Sequence, residues 1–180
     1  MVERLKKRLD SREIYGIFKK YLHESLLWRR AGDEIMRRIP ETQTTIPSWS
    51  WMAYEGGIEY IDIDRNFRGN QIPFPSAESL QSGTWLQMEL REPVGRLNWQ
   101  DVKEDEKELT FDGGNLDKDN KTCTQELKLA IVGREEQGLK RVYVLIVKPC
   151  PMESAYERVG VGCLLERHVS DVPGFMVRVT

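Results

Sequence analysis

The sequence lacks any long apolar run. Its longest, Val142 to Val147, covers six residues, far short of the roughly 20 needed to cross a bilayer. The opening Met1-Val-Glu-Arg-Leu-Lys-Lys is charged where a secretory signal requires an apolar stretch. Together these absences predict a protein retained in the cytoplasm, with no membrane partner. Cysteine is sparse. Cys123, Cys150 and Cys163 are odd in number, widely spaced and free of any CxxC or nearby Cys/His pair, which argues against both a secreted disulfide framework and a zinc pattern. No metal and no cofactor are expected. An excess of one charge is missing too: 27 Lys plus Arg against 29 Asp plus Glu leave a formal net charge of -2. No overall positive field therefore draws the chain to nucleic acid or to an anionic surface. Histidine is confined to His23 and His168, and neither has a serine or cysteine neighbour in a known nucleophile motif.

What is present fits one domain. A chain of 180 residues can bury a real core, and 39% hydrophobic against 31% charged residues points to a compact body with long polar loops. The expected organisation is a single domain over 1–180, with a helical arm at 1–39 and a β-rich body at 40–180. In the arm, Leu5, Leu9, Ile14, Ile17, Phe18, Tyr21, Leu22 and Leu26 recur near a 3.6-residue period, which predicts two or three helices. Ser11 followed by Glu13 and Ile14 resembles the start of a second helix, and Gly32 and Pro40 limit the pattern.

Beyond Pro40 the pattern alternates. Ile58 to Ile63, Trp85 to Leu90, Leu127 to Ile131, Tyr156 to Leu165 and Phe175 to Val179 read as strands, and Val142 to Val147 as a buried central strand. No helix-length segment separates them, so their pairing is expected to be antiparallel. The fold class expected is α+β, with N-terminal helices packed on an antiparallel β-barrel or sandwich. Gln137-Gly138 marks a hairpin turn. Polar loops are expected near 66–83 and 101–124, the second a candidate for disorder.

Trp49, Trp51 and Tyr54 form the densest aromatic cluster. They are suited to line a ligand pocket, or, placed on one face of a strand, to pack against the helices and Trp28. Glu55, Glu59, Asp62 and Asp64 follow closely; in a pocket they would supply a general acid or base, whereas simple alternation with Ile61 and Ile63 would leave Asp62 and Asp64 in solvent. Arg29, Arg30, Arg37 and Arg38 make a basic face for an acidic partner or for salt bridges. The run from Asp112 to Asn120 clusters oxygen ligands without the order or the closing glutamate of a calcium loop. Gly160 and Gly162, within a strand, indicate a bulge or a close backbone approach, and Cys163 reads as a small core residue.

Tyr15-Gly-Ile-Phe-Lys-Lys-Tyr-Leu-His-Glu-Ser-Leu-Leu-Trp-Arg-Arg and Ile46-Pro-Ser-Trp-Ser-Trp-Met-Ala-Tyr-Glu-Gly-Gly-Ile-Glu-Tyr resemble the region that follows the HET domain in fungal heterokaryon-incompatibility proteins. Tyr143-Val-Leu-Ile-Val-Lys-Pro and Tyr156-Glu-Arg-Val-Gly-Val-Gly are similar to later blocks of that region, in the same order, and the Pro-Ser-Trp-Ser-Trp block is the most specific. The name-giving HET domain, similar to TIR-type folds and linked to non-self recognition and cell death, has no motif here. The resemblance implies a stand-alone or truncated version of the C-terminal region, acting as a non-enzymatic protein-interaction or regulatory module with protein partners. The alternative is a small barrel enzyme, a cyclase or isomerase, that binds a small apolar metabolite between Trp49, Trp51 and Tyr54 and moves protons through Glu55, Glu59 or Asp62. The residues alone do not decide between catalysis and binding.

Overall fold

The computed structural model describes residues 13–32, 36–40, 46–75, 85–94, 107–112, 126–151 and 154–180. In chain order the elements are strands β1 (Glu13–Ile14) and β2 (Ile17–Phe18), helix α1 (Leu22–Leu26), then β3 (Trp28–Arg30), β4 (Arg37–Arg38), β5 (Tyr54–Glu55), β6 (Ile58–Tyr60) and β7 (Phe67–Gly69). The longer strands follow: β8 (Leu86–Arg91), β9 (Lys107–Phe111), β10 (Lys128–Glu135), β11 (Arg141–Pro149), β12 (Tyr156–Leu165) and β13 (Phe175–Val179).

Among the described residues the expected helical arm is helical only at Leu22–Leu26 and in one 3-10 turn. Its described part is a β1–β2 hairpin, a 3-10 turn at Lys19–Tyr21, the five-residue α1 and strand β3. The turn decides this: Tyr15 and Gly16 both have positive φ, 48° and 77°, the conformation of a two-residue hairpin and not of a helix. Ile17, Leu22, Leu26 and Leu27 still share one core cluster, so their apolar spacing records a common destination reached through β2, α1 and the residue after it. Residues 1–12, which carried the first helix of the expectation, lie outside the described residues.

The body is mostly β. Seven strands make one mixed sheet in the order β11-β10-β8-β13-β12-β9, with β7 paired to β10 and β11 also paired to β12. Val142 to Val147 is buried at every position, and strand alternation splits it between two clusters. Tyr143, Leu145 and Val147 join the main core with Leu86, Met88 and Trp49; Val142 and Val144 join Leu129, Ile131, Leu164 and Val169 on the other face. Each such side chain taken from water contributes about 1.5–3 kcal/mol, and a strand covered on both faces reads as an unbroken apolar run.

Of the expected barrel or sandwich, the strands form one mixed sheet and no closed barrel. All pairings in the sheet are antiparallel except β12 with β13, which meet in parallel at a single pair, Tyr156 and Val179. The path curls toward closure and stops at this seam. Two further expectations change. Phe67–Gly69 and Lys107–Phe111, placed in polar loops, are strands that pair β10 and β12; residues 76–83, 101–106 and 113–124 of those loops lie outside the described residues. The expected hairpin is present, with β10 and β11 joined through Gly138 at φ 87°.

Candidate functional site

Trp49, Trp51 and Tyr54 do not share a strand face. Ser50 accepts a hydrogen bond from the Met52 backbone N–H and donates to the Tyr15 carbonyl at 2.7 Å, which starts a 3-10 turn at Trp51–Ala53. That turn breaks the two-residue alternation. Trp49 is buried in the main core, edge-on to Tyr15 at 6.2 Å, and its carbonyl accepts from Trp28 Nε1 at 2.8 Å. Trp51 is partly buried beside Gly16. Tyr54 leans on Trp28 at 5.3 Å, and burial, reinforced by the Asp112 charge, pushes its phenol up to about 12. The expected packing with Trp28 is therefore present, in a different local geometry.

Glu55, Glu59, Asp62 and Asp64 are all exposed. Glu59 pairs with Arg29 at 2.7 Å, Glu55 lies opposite Arg37, and Asp64 accepts from the Asn66 backbone N–H at 2.8 Å. None of the four faces the core that holds Trp49. The basic residues also divide their partners: Arg29 bridges Glu59 and Glu108, and Arg38 pairs with Glu157 at 3.6 Å. His23 donates from Nε2 to the Asn70 carbonyl at 2.7 Å and meets Phe67 edge-on. His168 closes the 3-10 turn at Glu166–His168. Cys163 is buried and its thiol is pushed up to about 11, chiefly by loss of water, which makes it a core residue and a poor nucleophile. Among the described residues no group of three metal-ligating side chains gathers.

Two features escaped the sequence. The first is Arg158, whose side chain has no exposed surface. Its guanidinium donates twice to Asp112, at 3.0 and 3.2 Å, and to the carbonyls of Leu26 and Trp28 at 2.9 and 2.5 Å. It also lies 3.4 Å from the centre of the Trp28 ring. Its backbone N–H reaches Ser48 Oγ at 2.8 Å, and that hydroxyl donates to the Thr180 carbonyl. The network joins β12 to the ends of α1, β3 and β9 and leaves no charge unpaired, which is the condition for burying one. It is a structural clamp with no opening to a substrate.

The second is a groove of about 800 Å³ beside the seam, within the roughly 300–1,000 Å³ range of binding clefts. Trp85, Gln87 and Phe175 to Arg178 form one bank; Pro149, Ala155 and Tyr156 form the other. Phe175 and Met176 stand 59% and 48% exposed there. Arg178 stacks over Trp85 at 4.9 Å. The only sequence signal was the strand pattern Phe175 to Val179 itself; the groove joins segments too far apart to be read together.

No family model, no curated protein and no solved structure matches this chain. Among the described residues no helix is long and apolar enough to cross a membrane.

Proposed function

We propose that the chain is a non-enzymatic protein-interaction or regulatory module acting on a cytoplasmic protein partner, as the resemblance to the C-terminal region of fungal heterokaryon-incompatibility proteins implies. The observation that carries this reading is the open groove at the seam, with Phe175 and Met176 displayed to solvent. An isolated exposed apolar side chain is ordinary, but two adjacent ones beside Trp85 form a surface that gains by being covered. The enzyme alternative needs an aromatic pocket with a carboxylate inside it. Trp49 instead fills the core, and Glu55, Glu59 and Asp62 stand in solvent.

Native mass spectrometry of the protein purified from its own host, wild type beside Met176→Glu, tests the reading. A stoichiometric protein partner carried by the wild type and lost by the variant is expected. A small molecule carried by both, with no protein partner, contradicts it and restores the enzyme.

A further inference from the structure

The groove opens where β13 parts from β12, which it meets among the described residues only at its end. Its β8 side is paired from Phe175 to Val179, whereas among the described residues its β12 side is paired only at Val179. Thr180 sends its backbone N–H to the Tyr156 carbonyl at 2.8 Å, so even-numbered residues aim their backbone groups at the β12 side, since a strand alternates. The N–H and C=O of Met176 and the N–H of Arg178 therefore face the groove. Such an edge is a template for another strand.

The side chains add chemistry to this edge. Arg178 is the one charged residue of the described lining, and among the described residues it has no carboxylate partner; its recorded contact is the face of Trp85. Two residues away on the same strand face stands Met176. A matching strand would carry an acid opposite Arg178 and an apolar residue two positions from it.

We propose that the groove takes an extended segment of a protein partner, acidic at one position and apolar two positions away, as an added strand along the free edge of β13. This rests on the interaction-module reading and states its binding mode. Backbone bonds from Met176 and Arg178 supply affinity, and the Arg178–carboxylate pair selects the sequence. A second copy of this chain is the weaker fit, because the lining offers a cation with no acid of its own to return the pairing an isologous contact requires.

The probe is a capped peptide of about six residues built around leucine-threonine-glutamate-threonine-leucine, which presents the same pattern in either strand direction. It is titrated into the full chain by calorimetry. N-methylation of alternate peptide amides is expected to cost about tenfold in affinity for one set, whose N–H groups face β13, and nothing for the other. Arg178→Glu should weaken the glutamate peptide about fivefold and bind a lysine version in its place. Equal sensitivity of the two methylated sets would mean side-chain capture without strand addition and would overturn the proposal. So would no binding at millimolar peptide by a folded protein, or self-association through Phe175 and Met176 that excludes the peptide. If the peptide fails while native mass spectrometry still shows a partner lost by Met176→Glu, the module stands and only the strand addition falls.

Discussion

Arg158 shows what one residue does here. An arginine stripped of water is tolerable because Asp112, two carbonyls and the Trp28 face meet its donors. Asp112→Ala leaves that charge buried without its counterion and should cost about 3–5 kcal/mol, read as a lower urea midpoint at unchanged slope. Replacing both partners, with Arg158→Met and Asp112→Leu, should return most of the loss, because no charge then remains to be satisfied. Tyr54 sits on the same clamp and gives a pH signature. Its phenol is held up to about 12 from the ordinary 10.0, so folding favours the neutral form. The stability that this supplies is whole below about pH 10 and falls as pH rises toward 12. Alkaline unfolding curves should show that decline, and Tyr54→Phe should flatten part of it. The sequence offered a faint cue for Arg158, a cation that with Glu157 precedes an apolar and glycine run in the same strand. Its partner Asp112 was read instead as the head of an acidic loop, because the pairing spans 46 residues.

At the scale of elements, glycine sets how closely β9 lies on β12. A Cβ at Gly160 would meet the Thr110 carbonyl at 2.6 Å, and one at Gly162 the Glu108 carbonyl at 2.6 Å. Gly162→Ala should therefore push β9 off, at about 1–3 kcal/mol by the cost of overpacking. Amide exchange at Thr110 and Asp112, whose N–H groups face β12, should accelerate while β10 and β11 keep their protection. The close approach was legible in the Val-Gly-Val-Gly pattern; the strand that makes it was hidden in a polar segment. The long strands were legible too, since Val142–Val147 and Tyr156–Leu165 are buried runs with clear ends. The N-terminal segment was misread because Ile14, Ile17, Leu22 and Leu26 suit a helix period equally well. Tyr15-Gly16 was the contrary signal, a turn whose positive φ angles no helix continues.

For the whole molecule, what matters is where the sheet stops. Antiparallel pairing followed from the lack of helix-length connections, but closure did not, because one residue pair at Tyr156 and Val179 separates a barrel from an open seam. Sequence alternation carries no information on that distance, so the groove and its exposed Phe175 and Met176 were out of its reach. The account holds that this open edge is the working surface. Residue-resolved hydrogen exchange of the free protein tests that most directly. It predicts fast exchange at the amides of Met176 and Arg178 and slow exchange at Val177 and Val179, which are turned to β8. Protection of Met176 and Arg178 equal to that of their neighbours would mean that the edge is already covered by the chain itself, and would contradict the account.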